Sequence, residues 1–259
     1  MPRKLANLIV WLWMGAAVLA RPRISAQALF ERVWGRLHPN PAFRRLVGRI
    51  PGKGRQPSFN EHLYSLISRK LPSFYRSLEL PVPAVLQDRM ARPEPFVLLH
   101  FHDGFSFISK ILVDRGRHFT RIVDDPESYL SALEAKFPGA ACAHAVGAGL
   151  RSLVQALKAA KQGDALCCAI DYKEKKQAPY SHVSPAMIEF ANRNGLDVFF
   201  VKSNILDSGK AELLCWGPFN GIDAEACAGS FIDLYNSHGE SRRKLTVKSP
   251  ASAAPERRR

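Results

Sequence analysis

The chain has 259 residues, of which 46% are hydrophobic, so it can bury a sizeable core as one large domain or two small ones. Its formal charge of +14 lies at the ends: residues 1–60 hold eleven Lys and Arg against one acid, and residues 240–259 hold seven against two. Residues 61–239 sum to −1. A nucleic-acid groove needs positive charge along its binding face. The charge distribution therefore excludes nucleic acid and favours an anionic membrane surface as the partner.

The five cysteines show no spacing that is typical of a metal site. Cys167 and Cys168 sit inside an apolar run that has the character of a strand. The pattern predicts buried thiols that act as small hydrophobic side chains in a reducing compartment. We therefore predict neither a metal ion nor a resident cofactor.

Residues 6–20 form an uncharged apolar run with basic residues on both sides. The run is short for a spanning helix, which needs about 20 apolar residues. Its last three residues resemble a signal-peptide cleavage site, and a soluble helix is a third alternative. Because the basic segment after the run disfavours export, we predict that residues 1–25 form a retained membrane anchor.

Residues 26–85 form a basic region in which arginines interleave with apolar residues at helical spacing. Prolines and glycines at 39–41 and 51–54 interrupt the pattern, which predicts several short helices. Such segments can lie in the membrane interface. A helical lid on the core explains the pattern equally well. Residues 80–83, Leu-Pro-Val-Pro, are predicted to link this region to the next domain.

From residue 95 onwards, apolar runs alternate with helical patterns. This alternation predicts an α/β domain over residues 86–240, with a mostly parallel sheet and helices on both faces. Residues 241–259 are predicted to be a basic disordered tail. The predicted strands are 96–102, 120–124, 141–146, 165–171, 197–204 and 210–216, and the predicted helices are 105–115, 127–137, 149–161, 184–194 and 223–238.

Polar residues stand where the predicted strands end. His100, His102 and Asp103 close the first strand, Asp124 and Asp125 close the second, His144 lies near the end of the third, and Asp171 closes the fourth. The ends of parallel strands share the edge of the sheet at which ligands bind. Because side chains alternate along a strand, His100 and His102 are expected to face the same side and act together. Asp103 and Asp125 also fit helix N-caps.

Three stretches follow one another in an order that is similar to a known family. Residues 97–105, Val-Leu-Leu-His-Phe-His-Asp-Gly-Phe, resemble the first motif of the lipid A biosynthesis lauroyl/myristoyl acyltransferase family. Residues 150–171 look like the family's helix, glycine and strand ending in Asp. Residues 235–244 resemble its closing Arg-Arg-Lys stretch. An apolar N-terminal segment with basic flanks is similar as well.

The resemblance implies a glycerolipid/lipid A acyltransferase-like fold with a histidine as general base. His100 matches the family's histidine, and Asp103 or Asp171 would be its carboxylate partner. The residues expected to contact substrates are His102, Lys136, His144 and Tyr172. The chain departs from the family at Phe105, where the motif has a carboxylate. In place of the family's Arg between the second and third strands, it offers Lys136.

The activity that the resemblance implies is transfer of a fatty acyl group from a carrier thioester, acyl-ACP or acyl-CoA, to a lipid or glycolipid hydroxyl of the lipid A type. The expected partners are the acyl carrier, the lipid acceptor and the membrane surface. The expected location is the cytoplasmic face of the inner (cytoplasmic) membrane. Phe105 favours the alternative, a catalytically inactive relative that binds lipid or a partner enzyme.

Overall fold

A computed structural model describes residues 2–21, 23–50, 58–102, 107–147, 150–172, 181–238 and 245–248. Its helices are α1 (Pro2–Ala20), α2 (Ala26–Leu37), α3 (Pro41–Gly48), α4 (Phe59–Ser68), α5 (Pro72–Ser77), α6 (Ala84–Met90), α7 (Ile108–Asp114), α8 (Pro126–Lys136), α9 (Leu150–Lys161), α10 (Ala186–Arg193) and α11 (Ala224–Ser237). Its strands are β1 (Phe96–His100), β2 (Phe119–Val123), β3 (Ala143–Gly147), β4 (Ala165–Ala169), β5 (Asp171–Tyr172), β6 (Ser181–Val183), β7 (Asp197–Ile205), β8 (Ala211–Phe219) and β9 (Leu245–Val247).

The main sheet has six strands in the order β3-β2-β4-β1-β7-β8. The first five of these strands pair in parallel, and β8 runs antiparallel to β7. The α/β fold with a mostly parallel sheet is therefore confirmed. The antiparallel edge follows from the short connection between β7 and β8, because a parallel pair needs a crossover of a dozen or more residues.

Helices cover both faces of this sheet. On β1, Phe96 and Leu98 pack into a core formed with α1 to α8, and Val97 and Leu99 pack into a second core with α9 to α11. All four side chains are fully buried, as expected for a central strand of a parallel sheet. Because side chains alternate along the strand, His100 lies on the face that the N-terminal helices cover.

The basic helical region is fastened to the tip of the β7–β8 hairpin by a polar network. Trp34 Nε1 donates to the Asp207 carbonyl over 2.9 Å, and Asn60 Nδ2 donates to the Asp207 carboxylate over 2.8 Å. His38 Nε2 lies 3.0 Å from Asn60 Oδ1. Together with the shared apolar core, these contacts make the region a layer of the domain that lies on one face of the sheet.

The N-terminal helix α1 has two different faces. Ala6, Val10, Met14 and Ala17 are buried, and α1 packs against α2, α3 and α4. The outward side carries exposed Leu5, Leu8, Trp11, Leu12, Trp13, Val18 and Leu19. Within the described ranges, α1 alone is long and apolar enough to cross a membrane, and a signal sequence would pass the same test. An exposed apolar helix of this kind is consistent with membrane association or with a signal sequence.

A second, three-stranded sheet in the order β5-β6-β9 was not predicted. β5 continues directly from the end of β4 and pairs with β6 through Asp171 with Val183 and Tyr172 with His182. β6 pairs in parallel with β9, which lies inside the stretch predicted to be disordered. The small sheet thus extends from the carboxyl edge of the main sheet, where Asp171 and His102 lie.

Candidate functional site

His100 is the last residue of β1 and is only 5% exposed. Its Nδ1 lies 2.7 Å from the Phe101 carbonyl oxygen, which can only accept, so Nδ1 carries the proton. Its Nε2 is therefore the acceptor for a short hydrogen bond from Arg121 Nη2. Both ring nitrogens of His100 are thus engaged within the protein.

Burial lowers the pKa of His100 well below its ordinary value, and the neighbouring Arg121 charge acts in the same direction. The imidazole is therefore neutral at physiological pH. A neutral, buried ring that already accepts from a guanidinium holds that guanidinium in place. It does not present an open nitrogen to a substrate hydroxyl.

His102 has a different setting, because β1 ends at His100 and the strand alternation does not continue to it. Its side chain is 65% exposed, whereas that of Asp171 is 3% exposed. His102 Nδ1 donates to the Asp171 carbonyl over 2.9 Å and lies 3.2 Å from Asp171 Oδ1. Oδ1 also accepts from the His102 backbone N–H over 2.5 Å. The exposed imidazole is thus oriented by a buried carboxylate.

The expected pairing of Asp171 with His100 therefore needs correction, since Asp171 hydrogen-bonds His102 instead. The reason lies in the register of two parallel strands. His100 is level with Ala169, and Ile170 N donates to the His100 carbonyl over 3.0 Å. With this register, Asp171, which is two residues after Ala169, lies beside the backbone that follows β1. Asp103, the other predicted partner of His100, lies outside the described residues.

Three residues predicted to contact substrate lie in different places. Tyr172 follows Asp171 directly, is partly exposed, and has its ring centroid 5.7 Å from that of His182. Lys136 ends α8, and its Nζ lies 4.9 Å from the centroid of the Tyr75 ring. Partial burial of the ammonium and repulsion from Arg69 lower the pKa of Lys136.

The third of these residues, His144, lies away from the other predicted site residues. It is the second residue of β3, so it sits near the start of the strand and not near its end. It is level with Thr120 on β2, whose hydroxyl donates to Asp164 over 2.7 Å. Because Thr120 and Arg121 point to opposite faces, His144 and His100 lie on opposite faces of the sheet.

Arg121 was not among the predicted site residues. It lies in the middle of β2, is 8% exposed, and reaches across β4 to His100 on β1. The signal for it was present in the sequence, because Arg121 is a charged residue in the interior of the predicted strand 120–124. A buried charge is costly without a partner, which makes Arg121 a candidate for a role in the site.

The remaining polar side chains and thiols among the described residues form no further candidate for a catalytic or metal site. Asp125 caps α8 by accepting from Ser128 N over 3.1 Å, which confirms its predicted N-cap position. All five cysteines are free thiols, and burial raises the pKa of Cys167 to about 12. Across the described ranges, no group of three or more His, Cys, Asp or Glu side chains could hold a metal ion.

No protein-family model matches the chain, and no curated protein shows significant similarity to it. An exposed histidine whose Nδ1–H faces a carbonyl and a buried carboxylate, here at 2.9 Å and 3.2 Å, has Nε2 free of that proton, as a general base requires. In this chain the pair is His102 and Asp171.

The depressed pKa of His100 predicts a pH dependence of stability. The unfolded chain binds a proton at this residue near pH 6.5, whereas the folded chain stays unprotonated. The free energy of unfolding should therefore fall as pH drops below about 6.5, by up to about 1.4 kcal/mol per pH unit from this residue. Urea denaturation between about pH 7 and pH 5 measures the slope.

The matched variant for this measurement is His100→Gln, which keeps an acceptor for Arg121 but does not titrate. Its stability should decline less steeply towards acid than that of the wild type. Other groups titrate equally in both proteins, so the difference between the slopes isolates His100. Parallel slopes would contradict the assignment of a neutral, buried His100.

Proposed function

We propose that this chain is a membrane-associated acyltransferase that moves a fatty acyl group from a carrier thioester to a lipid or glycolipid hydroxyl. The carrier is acyl-ACP or acyl-CoA, and the acceptor is of the lipid A type. The reaction takes place at the cytoplasmic face of the inner membrane. The observation that carries the proposal is the pairing of the exposed His102 imidazole with the buried Asp171 carboxylate.

The proposed mechanism uses His102 as the base. Its Nε2 takes the proton from the acceptor hydroxyl as that oxygen forms a bond to the thioester carbonyl carbon. The resulting tetrahedral intermediate collapses with cleavage of the carbon–sulfur bond. The leaving thiolate then takes the proton from the imidazolium. Asp171 holds His102 in the Nδ1–H tautomer and stabilises the positive charge that the ring carries between the two steps.

Three features support this proposal in addition to the dyad. The order of motifs resembles the lipid A acyltransferase family. The dyad lies at the carboxyl edge of a mostly parallel sheet, where such folds bind ligands. The outward side of α1 offers an apolar surface beside basic residues, which suits an enzyme whose acceptor is a lipid. The proposal transfers the role of base from His100 to His102, because Asp171 orients His102.

A second candidate function is that of an inactive relative that binds lipid or a partner enzyme. Two observations favour it. Phe105 stands where the family's motif has a carboxylate, and His100, the residue that matches the family's base, is engaged by Arg121 and the Phe101 carbonyl. In that case the His102–Asp171 pair would only stabilise the end of β1.

A comparison of membrane lipids separates the two candidates. Cells that express the protein and cells that lack it are extracted, and the lipids are analysed by mass spectrometry. We expect a lipid class in the expressing cells that is heavier by one fatty acyl group. The difference should disappear in cells that express His102→Ala at the same level. Identical lipid profiles in all three strains would count against acyl transfer and favour the inactive relative.

A further inference from the structure

Arg121 carries hydrogen-bond donors that the described part of the chain does not use. Its Nη2 donates to His100 and the guanidinium lies against the Cys167 thiol, a weak acceptor, but Nε and Nη1 are buried and meet no oxygen or nitrogen acceptor among the residues that the structure describes. The same residues place no carboxylate within ion-pair distance of the guanidinium. A buried donor without a partner costs about 1–3 kcal/mol, and more when the group is charged.

Three described neighbours of the guanidinium, Tyr129, Tyr75 and Cys167, are neutral. The central carbon of the guanidinium lies 5.9 Å from the centroid of the Tyr129 ring. Burial raises the pKa of Tyr129, of Tyr75 and of Cys167, so all three keep their protons at physiological pH. The positive charge of Arg121 lowers each of these three pKa values, but burial raises them by more. A protonated thiol or phenol is neutral and cannot balance the charge of Arg121. Among the described residues, the more distant Asp164 and Asp171 act electrostatically on Cys167 and His100, but neither forms an ion pair with Arg121.

The orientation of the guanidinium is fixed by His100. The Phe101 carbonyl holds the proton of the ring on Nδ1, which leaves the Nε2 lone pair to accept from Arg121. Guanidinium groups recognise phosphate and carboxylate groups through several donors at once. A guanidinium that His100 orients, and whose Nε and Nη1 meet no oxygen or nitrogen acceptor among the described residues, is therefore prepared for an anion.

We infer that Arg121, positioned by His100, binds a phosphate group of a ligand at the face of the sheet covered by α7 and α8. The ligand class is a phosphate ester. This choice rests on the proposed function, because the pantetheine arm of either carrier and many lipid headgroups contain such an ester. Since Nε and Nη1 are closed off from solvent, the ligand reaches them only when the covering residues move apart.

The test is isothermal titration of the full chain in detergent micelles with inorganic phosphate, at constant ionic strength. The wild type should bind phosphate, and Arg121→Gln should bind it about 10- to 100-fold more weakly, because charge-assisted hydrogen bonds are lost. Arg121→Lys, which keeps the charge but fewer donors, should be intermediate. His100→Gln should weaken binding less than Arg121→Gln, because it leaves the charge in place.

Arg193→Gln serves as the control, since Arg193 is 80% exposed on α10 and belongs to the other layer. It should bind phosphate as the wild type does. Each variant is first shown to unfold cooperatively in urea. The inference is overturned if the wild type does not bind phosphate, or if Arg121→Gln and Arg121→Lys both bind it with wild-type affinity.

Two competitors identify the source of the ester. Displacement of phosphate by coenzyme A assigns the site to the carrier arm, and displacement by lysophosphatidic acid assigns it to a lipid headgroup. If neither displaces phosphate, a phosphate ester is not the ligand. Because the readout is binding and not turnover, a chain that binds phosphate through Arg121 but transfers no acyl group would refute the proposed function and leave this site standing.

Discussion

Replacing three outward residues of α1 together, Leu8→Ser, Trp11→Ser and Leu12→Ser, should weaken binding to anionic phospholipid vesicles about 100-fold. The three side chains lie on one side of the helix and are 54%, 59% and 64% exposed. Burying the exposed part of each in the acyl region contributes about 1 kcal/mol, so the set contributes about 3 kcal/mol. Partitioning of the full chain between buffer and sedimented vesicles measures the change.

The control replaces three exposed apolar residues elsewhere on the surface, Leu130→Ser, Val154→Ser and Ile222→Ser. It should bind vesicles as the wild type does. Because Ala6, Val10, Met14 and Ala17 hold the opposite side of α1 in the core, the substitutions on the outward side should leave the fold intact. Equal losses in the two triple variants would show that α1 is not the membrane-binding surface.

Most of the fold could be predicted because the main strands are apolar runs separated by amphipathic helices. The five parallel strands and the helices between them follow that pattern. The small sheet could not be predicted, since β5, β6 and β9 have two or three residues each and show no periodicity. Their pairing also joins segments that are far apart in the sequence, as Ser181 with Leu245 shows.

The candidate site was predicted less well, because it depends on where β1 ends. A strand that continued to residue 102 would place His100 and His102 on one side. The observed strand stops at His100, which leaves that ring buried and turns His102 towards solvent. The choice of partner for Asp171 depends on the register between β1 and β4, which no motif encodes. The position of Asp171 after β4 was nonetheless predicted, because it needs only the strand pattern.

The largest expected effect is that of His102→Ala on acyl transfer. Removing a general base typically slows a reaction about 10²- to 10⁴-fold. Asp171→Asn should also reduce the rate, since it removes the negative charge that stabilises the imidazolium, although the backbone carbonyl that accepts from Nδ1 remains. Release of thiol from acyl-coenzyme A in the presence of a bacterial lipid extract measures the rate. Substrate affinity should change much less than turnover, because the base acts in the transition state.

His144→Ala is the matched control, because it removes a histidine that the sequence grouped with the site and the structure places on the other face of the sheet. Its rate should equal that of the wild type. His100→Gln distinguishes the two histidines after β1, since it should retain transfer if His102 is the base. Loss of turnover in His100→Gln together with wild-type turnover in His102→Ala would return the role of base to His100. In that event Arg121 must release the His100 Nε2 atom before a substrate hydroxyl can approach it, and the exposed His102–Asp171 pair would serve to hold the end of β1.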